Sequence, residues 1–169
     1  MTAVAYARMD SIVGTVWVAG TAAGICTVGL GAGQPAAFFA RLARYVDPEP
    51  PCEDTEILSP ALAQLGAYFA RTRRAFDLPL DIRGTNFQRV VWDKVLAIPY
   101  GATATYGEIA RRIGHPHAAR AVGAALGANL LPILIPCHRV LGTGDKLVGY
   151  GAGIETKAAL LLLEGVLLS

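Results

Sequence analysis

The residues best suited to covalent chemistry sit together at Pro136-Cys137-His138-Arg139, at the end of an apolar run that starts at Leu130. Thiols react as thiolates, and a free cysteine with a pKa near ~8.5 is mostly protonated at neutral pH. A nucleophilic Cys137 therefore needs a base or a cation against its sulfur, and His138 or Arg139 can supply either. The bland alternative is a small buried hydrophobe on a strand, the usual fate of a lone cysteine. Pro136 argues against a central strand and puts the thiol at a bend. Glu164 is the second unusual residue. It follows the wholly apolar stretch 158–163 at the C-terminal end of a helix, where the macrodipole disfavours negative charge. It is either a solvated helix end or a carboxylate held there to orient an imidazole, as in nucleophilic triads. On dipole grounds alone, neutralising it is expected to leave thermal stability unchanged or raised.

The remaining reactive side chains point nowhere in particular. Three cysteines, Cys26, Cys52 and Cys137, cannot all pair, and no CxxC or Cys/His cluster suggests a metal site. Cys26 reads as core filler and Cys52 as a surface thiol. His115 and His117 flank Pro116 and read as a turn.

The chain that must position Cys137 has 169 residues, 53% hydrophobic and 17% charged, which is enough apolar surface to exclude disorder. That length suits one domain or two small ones. No apolar run approaches the ~20 residues of a membrane span, and residues 1–10 lack the pattern of a secretory leader. A soluble, cytoplasmic protein is expected. The net charge of +2 is unevenly spread, because residues 84–169 carry eight basic and five acidic side chains. A polyanion would prefer that half.

Periodicity divides the chain at Arg83-Gly84. Residues 1–83 are expected to form a small N-terminal α/β domain with an antiparallel sheet. Its elements are a hairpin of 13–20 with 25–30, a helix over 36–45 opened by Gln34-Pro35, and an acidic proline-rich loop over 47–54. A second helix from Ser59 (its N-cap) to about Arg71 and a third strand over 75–82 complete it. Residues 84–169 are expected to be mostly helical. Thr85/Gln88 and Thr105/Glu108 are capping boxes. The helices 106–113 and 117–126, joined across His115-Pro116, form a helix-turn-helix, and a last helix spans 155–163. The fold class is α+β.

The blocks Phe87-Gln88, Val91-Trp92, Ile98-Pro-Tyr-Gly101, Thr105-Tyr-Gly-Glu-Ile-Ala110 and Ala119-Arg-Ala-Val-Gly123 stand in order before Asn129. Pro136-Cys-His-Arg-Val140, Gly149-Tyr150 and Glu164-Gly165 follow. This series resembles the active-site domain of the DNA O6-alkylguanine alkyltransferases (methylated-DNA–protein-cysteine methyltransferases). The resemblance covers about half the chain. It implies that Cys137 accepts an alkyl group from guanine O6 in one irreversible step, with no cofactor and no metal. It further implies that His138 takes the thiol proton through a water, that Glu164 polarises the imidazole, and that Asn129 ties the helix-turn-helix to the active-site turn. Tyr106 would donate to guanine N3, while Val140, Tyr150, Gly151 and Ala152 would shape the base pocket. Double-stranded DNA containing O6-alkylguanine is the implied partner, bound by a monomer through the minor groove. Arg120 would fill the vacated stack after base flipping, and Ala119 and Gly123 belong to the small-residue face beside it. Leu130 after Asn129, Ala152 within Gly151-Ala152-Gly153, and Leu126 depart from the family's usual residues, and none of these removes a catalytic group. Two other classes compete: a helix-turn-helix sensor that binds alkylated DNA without transfer, and a multiple-turnover Cys-His hydrolase.

Overall fold

Alternating apolar side chains between 5 and 29 build the sheet of the first unit of the chain, Met1–Arg83. The computed structural model describes residues 3–31, 35–46 and 49–166. Strands β1 (Ala5–Ser11), β2 (Gly14–Thr21) and β3 (Gly24–Gly29) form an antiparallel meander, and β4 (Cys52–Glu53) adds in parallel to β1. The spatial order is β3-β2-β1-β4. The hairpin read from the sequence is β2–β3. Strand β1 was not foreseen, because its alternation uses Ala5, Ala7 and Met9 against Tyr6, Arg8 and Asp10, residues with mixed strand preference.

One face of the sheet is covered by α1 (Pro35–Leu42), whose Phe38 and Leu42 are buried with Val4, Ala19 and Cys26. Tyr6, Trp17, Phe38 and Phe39 pack there with ring centroids 5.1–6.2 Å apart, the range that favours edge and tilted contacts. On the opposite face α2 (Ser59–Phe69) lies over β1 and β2, with Leu58 against Gly20 and Met9 beside Gly66.

Four local expectations are corrected in this unit. Helix α1 stops at Leu42 rather than 45, since Tyr45 N–H turns back to the Leu42 carbonyl (2.9 Å); Gln34 lies outside the described residues. The proline-rich segment is not all loop. Cys52 and Asp54 donate to Val4 and Tyr6 carbonyls (3.0 and 2.9 Å), which makes a two-residue edge strand, while residues 47–48 lie outside the described residues. Ser59 is not an N-cap but already helical, following Leu58, and α2 ends before Arg71, whose φ is +62°. Residues 75–82 form no strand. Pro79 has no N–H to give, so the segment meets β3 in a single bridge, with Ile25 N–H on the Pro79 carbonyl (2.9 Å) and Asp81 N–H on the Ile25 carbonyl (2.8 Å).

The second unit, Gly84–Ser169, opens with both capping boxes formed. Thr85 Oγ1 accepts from Gln88 N–H (3.2 Å) and Gln88 returns the bond to Thr85 N–H (2.9 Å), starting α3 (Asn86–Leu96). Thr105 and Glu108 do the same at 3.1 and 2.9 Å, starting α4 (Tyr106–Arg112). Gly114, at φ +79°, and a bond from His115 N–H to the Ala110 carbonyl turn the chain into α5 (Ala119–Gly127). This is the helix-turn-helix, although α5 begins two residues later than expected because Ala118 N–H is still bonded to His115 (2.9 Å). Ile109, Ala110, Val122 and Ala125 are buried in its seam, and Trp92 of α3 locks it by donating to the Ala125 carbonyl (2.8 Å). A 3-10 turn, Cys137–Arg139, leads into β6 (Val140–Leu141), which pairs in parallel with β5 (Ala104–Thr105). Helix α6 (Ile154–Leu163) closes the unit. A sheet domain followed by a mostly helical one makes the chain α+β. No helix among the described residues is long and apolar enough to cross a membrane.

The bridge at Ile25 has a measurable consequence. A Cβ on Gly24 would lie 2.4 Å from the Pro79 carbonyl oxygen, at a φ of +141° that other residues avoid. Gly24→Ala is expected to cost at least about 1 kcal/mol in urea denaturation, whereas Gly127→Ala, where a Cβ meets nothing, is expected to be neutral or stabilising.

Candidate active site

The path to Cys137 is made by one asparagine. After α5 the chain must reverse within a few residues, and the Asn129 side chain supplies the bonds. Its Oδ1 accepts from Leu131 N–H (2.9 Å), and its Nδ2 donates to the Ile135 carbonyl (3.0 Å) and to Cys137 Sγ (3.2 Å). Midway, Ile133 takes φ +71°, a conformation that a β-branched residue adopts only when its surroundings force it. It is buried, as is every residue from 131 to 136. Pro136 then starts the 3-10 turn. Cys137 is left half-buried while His138 and Arg139 point inward. Of the two readings open for Cys137, the structure gives the thiol at a bend and not the strand hydrophobe.

The inward pair meets Glu164. His138 Nε2 lies 2.7 Å from Glu164 Oε1, and Arg139 donates to both carboxylate oxygens at 2.9 Å. The remaining Arg139 nitrogen donates to the Ile98 carbonyl (2.7 Å). Burial by itself would raise the Glu164 pKa, but the hydrogen bonds from His138 and Arg139 outweigh it and bring the group down to about 2. Burial lowers the His138 pKa against the opposing pull of Glu164, so the imidazole is neutral at pH 7. With an ionised carboxylate on Nε2, the ring proton belongs there. Nδ1 then carries the free lone pair, and it has no hydrogen-bond partner.

Two expectations change. Glu164 is not a solvated helix end, and its charge is not a cost: both side-chain partners are cationic or proton-donating, and water is excluded. Arg139 is not the cation beside the sulfur, since all its bonds go to Glu164 and Ile98. The cation whose charge favours the Cys137 thiolate is Lys157 of α6, which the sequence reading passed over. Its spacing from Leu160, Leu161 and Glu164, all on one helical face, was the available signal.

Burial holds the Cys137 thiol above its ordinary pKa, opposed by hydrogen bonds from Asn129 and Tyr150 and by the charge of Lys157. The resting sulfur is therefore protonated, and a base is required. Tyr106, the first residue of α4, keeps its proton because burial and Cys137 both raise its pKa. Its hydroxyl donates to the Val148 carbonyl (3.1 Å), and Gly123 of α5 faces its ring. Val140 is buried just after the turn. Tyr150, Gly151 and Ala152 form the loop before α6, with Gly151 exposed. Arg120 and Ala119 lie at the start of α5, Arg120 exposed and Ala119 half-buried, while Ala125 of the same helix is buried in the core. Among the described residues no group of three His, Cys, Asp or Glu is arranged to hold a metal ion.

Glu164→Gln breaks a buried ion pair and is expected to cost on the order of 3 kcal/mol in denaturant at pH 7, the reverse of what the dipole argument suggested. The pH dependence has a definite sign. Folding lowers the Glu164 pKa from 4.5 to about 2, so its contribution is complete above 4.5 and is lost as pH falls toward 2. His138, also lowered, adds a loss that begins below its ordinary 6.5. Parent stability is expected to decline from about pH 6.5 downward, with the portion below pH 4.5 missing in Glu164→Gln.

Two family models match, and together they span nearly the whole chain: the 6-O-methylguanine DNA methyltransferase DNA-binding domain over residues 86–166 and its ribonuclease-like domain over 4–82. A methylated-DNA–protein-cysteine methyltransferase of Methanosarcina acetivorans is 42% identical over 160 residues, 95% of this chain and 97% of its own. One from Mycobacterium tuberculosis is 57% identical over 111 residues, 66% of this chain and 67% of its own. The crystal structure of the M. tuberculosis O6-methylguanine methyltransferase superposes with a TM-score of 0.81 at 44% identity, covering 95% of this chain and 92% of that one. An M. tuberculosis relative solved in complex with DNA superposes at 0.80 with 42% identity and the same coverage. Sequence and fold agree over both units, and the chain belongs to the 6-O-methylguanine DNA methyltransferase family.

Proposed function

We propose that this chain, as a DNA-repair alkyltransferase of that family, removes an alkyl group from guanine O6 by one irreversible transfer to Cys137. The observation that carries the reading is the state of His138, the residue next to the half-buried thiol. Its Nε2 proton is committed to Glu164, and its buried Nδ1 is open to receive a proton. A water passes the Cys137 proton to Nδ1. The thiolate attacks the alkyl carbon, the S–C bond forms as the C–O6 bond breaks, and the electron pair leaves on the purine. Tyr106, kept neutral, releases Val148 and donates to guanine N3, where charge develops. Asn129 holds the sulfur in place. Backbone groups of Cys137, Val140 and Gly151 face the base, and Tyr150 and Ala152 bound it. The thioether is stable, so each molecule acts once. The damaged DNA is itself the alkyl donor, and no cofactor takes part.

DNA access follows from the helix-turn-helix. The target atom lies inside the duplex, so the nucleotide must be flipped out at a cost of a few kcal/mol. Helix α5 turns Arg120, Ala121, Ala124 and Gly127 to solvent, a face small enough to enter a minor groove with one long cation to fill the gap. A monomer bound to any sequence through that groove fits its degenerate pattern of base edges. The DNA complex of the M. tuberculosis relative supports DNA as the partner. A nucleoid-associated location follows from that partner.

Intact-protein mass after exposure to O6-methylguanine DNA is the test. The parent is expected to gain one methyl group on Cys137, and Cys137→Ser none while still binding DNA, because a neutral imidazole cannot ionise an alcohol. An unmodified parent would leave the sensor reading, and repeated turnover the hydrolase. Arg120→Ala is expected to lower the rate on duplex DNA far more than the rate on free O6-benzylguanine, which needs no flipping. An unchanged ratio would make Arg120 a positioning residue only.

A further inference from the structure

Helix α6 carries a lysine on its inner face. Lys157 is wholly buried, one turn before Leu160 and Leu161 and two turns before Glu164. Lysine is almost never fully buried without a partner, yet among the described residues no carboxylate forms an ion pair with it. Its ammonium donates to the Val148 carbonyl (3.0 Å) and to the Gly149 carbonyl (3.4 Å), and sits 5.8 Å from the centre of the Tyr106 ring. Its charge is felt by both Cys137 and His138 of the 3-10 turn. Burial brings Lys157 down to about 8, and Cys137 opposes that fall. The negative charge this ammonium lacks at rest is the one that appears on Cys137 when its proton leaves.

The Val148 carbonyl adds a second link. It accepts from both Lys157 Nζ (3.0 Å) and Tyr106 hydroxyl (3.1 Å), one for each lone pair. When Tyr106 turns to a base, Lys157 still satisfies that oxygen, and the loop keeps its anchor.

We propose that Lys157 is a positioning residue of the transfer: its ammonium stabilises the Cys137 thiolate and pins the Val148–Gly149 backbone from which Tyr106 is released to the substrate. The proposal rests on Cys137 being the alkyl acceptor.

Two variants separate the charge from the tether. Lys157→Met keeps the chain length and removes both, and Lys157→Gln keeps an N–H donor and removes only the charge. The first readout needs no DNA: the pH profile of Cys137 carbamidomethylation by iodoacetamide, followed on the Cys137 peptide. In both variants the midpoint is expected to rise by about one unit, a tenfold lower reaction at pH 7. Transfer from free O6-benzylguanine is expected to fall at least about tenfold as well and to recover at alkaline pH. A lysine with only a structural role would slow transfer without moving the iodoacetamide midpoint, and an unmoved midpoint in either folded variant overturns the proposal. Should neither variant fold, the parent itself decides. Its Lys157 Nζ resonance is expected to titrate in two steps, its own and that of Cys137, and in one step after Cys137 has been carbamidomethylated. A titration curve unaltered by that modification overturns the proposal too. Failure of the underlying reading looks different: the parent would gain no benzyl group on Cys137 while its iodoacetamide profile still depended on Lys157.

Discussion

Everything in the second unit is arranged around a carboxylate kept dry. Glu164 sits at the end of α6 with no exposed side-chain surface, and both its oxygens are taken by His138 and Arg139. A lone buried carboxylate would neutralise itself; this one stays ionised because His138 hydrogen-bonds to it and the guanidinium grips it with two parallel bonds. Arg139 in turn reaches the Ile98 carbonyl at the end of α3. One ionised group thus ties three stretches of chain that are far apart in sequence. An ionised carboxylate on Nε2 also favours the ring proton there and leaves Nδ1, which has no hydrogen-bond partner, with the lone pair.

The thiol is the opposite case. Burial favours its neutral form, and three separate groups, Asn129, Lys157 and Tyr150, push the other way without winning. A sulfur permanently ionised would be open to oxidation at any time. One that is protonated at rest but surrounded by groups preferring its anion becomes nucleophilic only when a neighbouring base accepts the proton. The cost of burying Cys137 and the support for its thiolate are therefore two halves of one device. The same burial that raises the thiol pKa lowers that of His138 and keeps its imidazole neutral.

What could be read from the sequence was local. Capping boxes at Thr85 and Thr105, the turn at Gly114 and the helix pair around it involve residues three to five apart, and the structure has them. The bend at Cys137 was legible from Pro136. Long-range pairing was not. Strand β1 hides behind alanines, and the run 75–82 alternates like a strand but makes a single bridge to β3, at Ile25, because Pro79 cannot extend the ladder. Glu164 was singled out for a sound reason that gave the wrong sign. The dipole argument assumes a solvated helix end, and burial against Arg139 reverses the balance. Lys157 was overlooked because a single lysine among leucines looks like a surface residue until the helix is rotated to show which face it shares.

The backbone strain at Ile133 shows where the stability of the fold is spent. A buried isoleucine at φ +71° costs on the order of 1–3 kcal/mol, and a glycine there would avoid it. Yet Ile133 is 1% exposed, and filling that space with a branched side chain returns roughly 1.5–3 kcal/mol of apolar burial. The two nearly cancel. What the arrangement gains is direction: the reversal it permits brings the Ile135 carbonyl and Cys137 Sγ to the same Asn129 amide. A flexible glycine turn would let the sulfur wander, whereas a strained but packed one holds it where α5 ends. The helix-turn-helix and the thiol are thereby joined through one side chain, which holds Cys137 at a set distance from the end of α5.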